Sequence, residues 1–242
     1  MEITDKINEL QKVIDSSDDI VFFGGAGVST ESGIPDFRST NGLYNQQYKY
    51  PPETILSHTF FEKKCEEFFE FYRAKMNPEG YEPNVTHKFL AELEKKGKLK
   101  GIITQNIDGL HQKAGSKSVW ELHGSTQRNY CMKCGKFYGP EAVFNVDGIP
   151  RCSCGGVIKP DVVLYEEGLD ENTIENAIRL IANADVLIVG GTSLSVYPAA
   201  GFIRYFHGSK LVLINISQTS YDSDADLLIH AGLGEVFAKI HI

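Results

Sequence analysis

Cys131-Met-Lys-Cys134 and Cys152-Ser-Cys154 place four thiols in two close pairs, with residues 135–151 between them. Two such pairs across a hairpin-length insert suit one tetrahedral Zn²⁺ with four sulfur ligands. Four sulfurs close the coordination shell, so the expected ion is structural and the chemistry belongs to its neighbours. His123 lies just upstream, in Glu121-Leu-His-Gly124. An imidazole titrates near neutrality and can take up a proton during a reaction. The chain has seven histidines, so residue type alone does not single this one out.

Other polar clusters share one kind of position. Gly25-Ala-Gly-Val-Ser29, Gln105-Asn-Ile-Asp108, Gly191-Thr-Ser193 and Asn215 each follow a short apolar run. Bare glycines after a strand let backbone N–H groups approach a diphosphate. The glycine pair is not the ordinary G-x-G-x-x-G, because Thr30 stands in the third glycine's place and Gly33 comes three residues later. No acidic residue ends a second strand where a hydride-transferring dinucleotide enzyme needs one. Asn106 and Asp108 put a carboxamide and a carboxylate on one turn. Such a turn can also serve as a helix N-cap.

The elements that must position these groups follow from periodicity. Ile3, Ile7, Leu10 and Ile14 predict an amphipathic helix over residues 4–16. Ile20–Phe23, Gly101–Thr104, Val119–Leu122, Asp185–Val189 and Leu211–Ile216 read as short buried strands. Helical patterns lie between them at Val85–Lys96, Glu171–Asn183 and Pro198–Phe206. Alternating strands and helices with continuous apolar strands predict an α/β fold with a parallel sheet covered on both faces. Ligands of such sheets bind beyond the carboxyl ends of the strands, where all the polar clusters fall. Residues 34–58 read as a long ordered loop and 59–76 as an aromatic-rich helix. The turn-rich cysteine segment, 125–159, reads as a metal-stabilised insert.

Composition sets limits. The chain has 242 residues, 42% apolar, which suffices for one large domain with a small insert. A net charge of −8 predicts no direct nucleic-acid binding. No apolar run reaches the ~20 residues that span a bilayer. The charged start is not a signal peptide, and grouped cysteines suit a reducing compartment, so a cytoplasmic location is expected. The remaining thiol, Cys65, is expected to be buried.

GAGVSTESGIPDFRS at residues 25–39 resembles the signature of the sirtuins, NAD-dependent protein-lysine deacylases. TQNIDGLHQKAG (104–115), ELHG (121–124), GGTSLSVYPAA (190–200) and INISQT (214–219) match the same family in order. The resemblance spans about residues 20–235 and implies a Rossmann-like domain with a smaller lobe. It implies residues 1–38, 84–124 and 160–242 for the NAD-binding domain, with a helical insert (39–83) and a zinc module (125–159) as the small lobe. It also implies a reaction that cleaves NAD to nicotinamide and moves the acetyl group from lysine to ADP-ribose, giving O-acetyl-ADP-ribose. The implied partners are acetyl-lysine proteins or peptides.

Carried over by resemblance, His123 is the base that activates a ribose hydroxyl, and Asn106 sits near the ribose and a water. Asp108, with the backbone at Ile107, holds the nicotinamide carboxamide, and Gln105 lies near the ribose hydroxyls. Ala26 and Thr30 line the nicotinamide–ribose side, Phe37 covers the nicotinamide pocket, and Arg38 reaches the diphosphate. Gly191, Thr192, Ser193 and Asn215 hold phosphate and adenosine ribose. Val162, Val163, Tyr165 and Glu166 resemble the strand that pairs with peptide backbone, and Val196 matches the opposite loop. His111, within the second matching motif, is expected to be structural.

Three departures stand out. Gly24 replaces the usual Thr, Tyr165-Glu166-Glu167 replaces Phe/Tyr-Gly-Glu, and the second cysteine pair is C-x-C. Family members preferring succinyl or malonyl groups carry a Tyr-x-x-Arg pair. Here Tyr72 is followed by Lys75, which is not equivalent in a bidentate site. Removal of acetyl or other uncharged acyl groups is therefore expected. An oxidoreductase, a zinc-ribbon binding protein and an ADP-ribosyltransferase are the rival readings.

Overall fold

The computed structural model describes residues 2–36, 42 and 48–242. Six strands form one parallel sheet: β1 (Ile20–Gly24), β2 (Leu99–Thr104), β3 (Val119–Glu121), β7 (Val186–Gly190), β8 (Lys210–Ile214) and β9 (Leu227–Ile229). Their order is β3-β2-β1-β7-β8-β9. The chain winds outward from β1 in one direction and then from β7 in the other. The order therefore reverses between β1 and β7, and the strand ends there leave an open crevice.

Side chains alternate across β1. Ile20 and Phe22 join one core with α1 (Ile3–Ser16), α5 (Val85–Lys95) and α9 (Leu233–Phe237). Val21 and Phe23 join the other, with α8 (Glu171–Asn183) and a 3₁₀ run over Ala199–Tyr205. All of β1 is buried, which explains its unbroken apolar sequence. Burying each of the two phenylalanines contributes roughly 1.5–3 kcal/mol.

The smaller lobe has its own three-stranded antiparallel sheet, β5 (Phe137–Tyr138), β4 (Gly124–Cys131) and β6 (Ile158–Val162), with β4 central. Short helices α2 (Pro52–Ile55), α3 (His58–Lys63), α4 (Cys65–Met76) and α7 (Glu141–Phe144) belong to it. A third core unites them. Phe60, Phe61, Phe68, Phe69 and Tyr72 pack with Cys131, Cys152, Ile158 and Val162. The rings of Phe61, Phe68 and Phe69 meet edge to face at 5.0–5.9 Å.

Several elements differ from expectation. The aromatic helix is two helices, interrupted at Lys64 with φ −138° and ψ 48°. The break lets α3 and α4 turn different phenylalanines into the same core. Residues 34–58 are not all loop, since Pro at the start nucleates α2. The segment 198–206 is a 3₁₀ run rather than an α-helix. Edge strand β9 escaped notice because three residues are too few for a pattern. Cys65 begins α4 and is only partly buried.

Candidate active site

At the reversal between β1 and β7, Gly27 N–H donates to the Gly191 carbonyl at 2.8 Å. A Cβ on Gly191, whose φ is +61°, would lie 2.6 Å from the Val28 nitrogen. The two loops can close together only without side chains there. They border a cleft of 820 Å³ running between the parallel sheet and the small lobe. This size suits a bound small molecule.

Every described residue that the resemblance assigned to NAD or to peptide lines this one cleft. Phe37 and Arg38 lie outside the described residues. The assigned residues come from loops after β1, β2, β3, β7 and β8 and from the end of β6 and the segment after it, so chain segments far apart in sequence converge.

His123 follows β3. Its Nδ1 lies 2.9 Å from the Gln105 carbonyl. A carbonyl only accepts, so Nδ1 carries the proton and Nε2 is left as the basic nitrogen. Burial pushes the imidazole below its ordinary value, and the Gln105 carbonyl partly opposes this. The neutral, proton-accepting form is therefore favoured at neutral pH. Gly124, next in the chain, has φ +75°, and the Asp161 carbonyl lies where its Cβ would sit. That close approach lets His123 C=O accept from Val163 N–H at 3.0 Å, tying His123 to the segment after β6.

The Gln105–Asp108 turn is held by a network. Ser29 Oγ donates to Asp108 Oδ2 at 2.6 Å and accepts from Asn106 Nδ2 at 3.0 Å. Leu110 N–H donates to Asp108 Oδ1 at 2.8 Å, so the carboxylate also caps α6 (Leu110–Ala114). Burial raises the Asp108 carboxyl; the Ser29 and Leu110 bonds hold it down. Thr126 occupies the Ile107 carbonyl twice, through N–H and Oγ1, both at 2.9 Å. Gln105 Nε2 donates to Thr192 Oγ1 at 3.1 Å, linking the β2 and β7 loops. Ser29 was not among the residues singled out from sequence, although it lies within the matched glycine motif. Its partners are 77 and 79 residues away, and no local pattern signals them.

His111 and His87 are both buried, with ring centroids 4.8 Å apart. Burial depresses His87 to about 4 and His111 to about 3. Neither lines the cleft.

The four cysteine sulfurs converge. Cys131–Cys154, Cys134–Cys152 and Cys134–Cys154 Sγ separations are 3.4, 3.6 and 3.5 Å. Sulfurs around a tetrahedral zinc at 2.3 Å stand about 3.8 Å apart. The donor set and spacing fit a structural Zn²⁺, as the C-x₂-C and C-x-C pairs predicted.

Tyr72 is fully buried, stacked on Phe68 and Phe144, and its hydroxyl has no partner among the described residues. Tyr72 and Lys75 both border the cleft. Glu166, at the position of the family's usual glycine, adopts φ +77°. Its carboxylate turns away to accept from Thr59 N–H at 2.9 Å.

The sequence profile of the Sir2 family matches residues 25–198. The NAD-dependent protein deacetylase of Clostridium acetobutylicum is 61% identical, covering 99% of this chain and 100% of that protein. The deacetylase of the same description from Clostridium perfringens is 59% identical, covering 98% of each. Among solved structures, a Sir2–p53 peptide–NAD⁺ complex is 38% identical over 96% of each chain, with a TM-score of 0.85. A Sir2 variant with a deacetylated p53 peptide and 3′-O-acetyl ADP ribose is 38% identical over 96% of each chain, with a TM-score of 0.87.

Proposed function

The chain belongs to the Sir2 family, and from that premise we infer that it is an NAD-dependent protein deacetylase that moves the acetyl group of acetyl-lysine to ADP-ribose. NAD is the co-substrate and supplies the acceptor for the acetyl group. One observation carries the reading to this chain's own residues. The histidine with its proton-accepting nitrogen free shares a cleft with the glycine loops and the Asp108 network.

The residues divide the work as follows. Ala26, Thr30, Gly191, Thr192, Ser193 and Asn215 line the phosphate and ribose side, where the packed glycine loops bring backbone close. Asp108 keeps an acceptor for the carboxamide N–H of nicotinamide, because Ser29 and Leu110 leave it capacity. Ile107 has its carbonyl filled by Thr126, so its N–H is the group available to the carboxamide oxygen. Asn106, fixed by Ser29, and Gln105, fixed by Thr192, face the ribose. His123 Nε2 takes the proton of a ribose hydroxyl, and Gln105 C=O steadies the imidazolium that forms. Val162, Val163, Tyr165 and Glu166 form one wall for the peptide and Val196 the other. Phe37 and Arg38 keep the roles that the resemblance implies.

We assign residues 1–38, 84–124 and 160–242 to the NAD-binding domain, and 39–83 with 125–159 to the small lobe. The third hydrophobic core, shared by the insert and the cysteine module, supports that division, while the end of β6 and Leu164 cross its boundary at residue 160. The partners are acetyl-lysine proteins. Among the described residues no helix is long and apolar enough to cross a membrane.

The acyl preference follows from Lys75 in place of the bidentate arginine and from the buried aromatic setting of Tyr72. A kinetic panel of acyl-lysine peptides with NAD tests both activity and preference. Acetyl-lysine should be turned over well above succinyl-lysine. Equal or faster turnover of the succinyl peptide would refute the preference, and no nicotinamide release with any peptide would refute the function.

A further inference from the structure

The turn after β6 is fastened to the small lobe by backbone bonds of Tyr165 and by Glu167, Lys159 and His58, side chains that have no part in the roles above. Tyr165 pairs with the chain before α3: its N–H donates to the Leu56 carbonyl, and His58 N–H donates to its carbonyl, both at 3.0 Å. Beside that pairing, the Glu167 carboxylate collects three donors. Leu164 N–H reaches Oε2 at 2.9 Å, Lys159 Nζ reaches Oε2 at 3.1 Å, and His58 Nδ1 lies 2.9 Å from Oε1. Lys159 Nζ also donates to the Val162 carbonyl at 3.1 Å. Glu167 thus closes the Leu164–Glu167 turn on itself and anchors it to β6 and to α3. The adjacent Glu166 holds its positive φ while bonded to Thr59 N–H of the same helix.

The second nitrogen of His58 also faces a carboxylate, with Nε2 3.4 Å from Glu62 Oε1. A neutral imidazole has one N–H and could serve only one of these oxygens. The doubly protonated ring serves both, with Nδ1 bonded to Glu167 and Nε2 at ion-pair distance from Glu62. The charges facing it are Glu62 from α3 and Glu166 and Glu167 from the turn. Lys159 on β6 lies across Glu167, and Lys63 acts on Glu166. Three carboxylates and two ammonium groups leave a local deficit of one positive charge, which the imidazolium fills.

We propose that His58 is a positioning residue that locks the peptide-binding turn through Glu167, so that affinity for the acyl-lysine peptide falls as His58 loses its proton. This rests on the assignment of Val162–Glu166 as the peptide wall. The Glu167 bond, then the Glu62 charge, raises the imidazole above its ordinary value. A raised value means that the latch is complete below the ordinary histidine range and opens as pH rises through the shifted one. The glycine loops and the Asp108 network assigned to NAD share no hydrogen bond with His58 or Glu167.

Steady-state kinetics of the wild type, His58→Gln and His58→Lys across pH 6–9 test this. The wild-type KM for acetyl-peptide should rise roughly two- to fivefold with pH, the scale of an exposed ion pair. His58→Gln should show the higher KM at every pH. His58→Lys, whose charge persists, should keep the lower KM and flatten the profile. KM for NAD and kcat at saturating peptide should stay unchanged in both. At one fixed pH, the Tyr165 amide should exchange with deuterium faster in His58→Gln than in the wild type. A peptide KM unaffected by His58→Gln, or a parallel change in the KM for NAD, overturns the latch. If the wild type deacetylates nothing, the functional reading fails instead, and amide exchange still decides whether the latch exists.

Discussion

Ser29→Ala removes one hydroxyl from the most connected point of the cleft. Ser29 is fully buried, donates to Asp108 at 2.6 Å and accepts from Asn106 at 3.0 Å. A hydrogen bond to a charged group contributes about 1.5–3 kcal/mol. At 1.36 kcal/mol per factor of ten, losing the Asp108 bond should lower kcat/KM for NAD by roughly 10- to 150-fold. The direction of the pH effect follows from the same contact. Burial already raises the Asp108 carboxyl, and the Ser29 bond counteracts it. Without Ser29 the carboxyl rises further, so the acid limb of the nicotinamide-release profile should move to higher pH. The assay is nicotinamide release against NAD concentration at several pH values, with melting temperature and zinc content as controls. A change below twofold with an unmoved acid limb, in a protein that is still folded, would refute the network as the holder of nicotinamide. A large fall in melting temperature instead would mean that Ser29 acts on stability.

His123→Tyr should abolish deacetylation while zinc content and melting temperature stay near wild type; substantial remaining activity would remove the base assignment. In the wild type, activity should fall on the acid side at a pH below the ordinary histidine value, because burial lowers His123. Cys131→Ala should lose the metal and several degrees of melting temperature, since Cys131 belongs to the core shared with the α4 phenylalanines; a variant keeping both would contradict a structural ion. His87 and His111 are held neutral, at about 4 and about 3, so protons bind the unfolded chain first as pH falls below 6.5. Their contribution is complete above that pH and shrinks by about 1.36 kcal/mol per histidine per pH unit, or about 2 kcal/mol each by pH 5. Urea denaturation at pH 7 and pH 5 checks this, and His111→Gln should flatten the difference.

Ligand spacing and strand pattern were readable in the linear chain because both are local. Each close pair, Cys131-x-x-Cys134 and Cys152-x-Cys154, can present both of its thiols to one ion by local spacing alone. A fully buried strand must be apolar throughout, so Ile20–Phe23 announced its place in a covered parallel sheet. The matched motifs marked the residues that line the cleft. Tertiary structure alone decided how those residues are aimed. Asp108 and Ser29 are 79 residues apart and meet because β1 and β2 are neighbours. The proton-accepting nitrogen of His123 is chosen by the carbonyl of Gln105, 18 residues earlier, across the β2–β3 pair. Likewise His58 and Glu167, separated by 109 residues, meet where the insert touches the turn after β6. Hydrogen bonds act over a few ångströms, so composition and spacing constrain which groups are present while strand order and loop packing determine which of them touch.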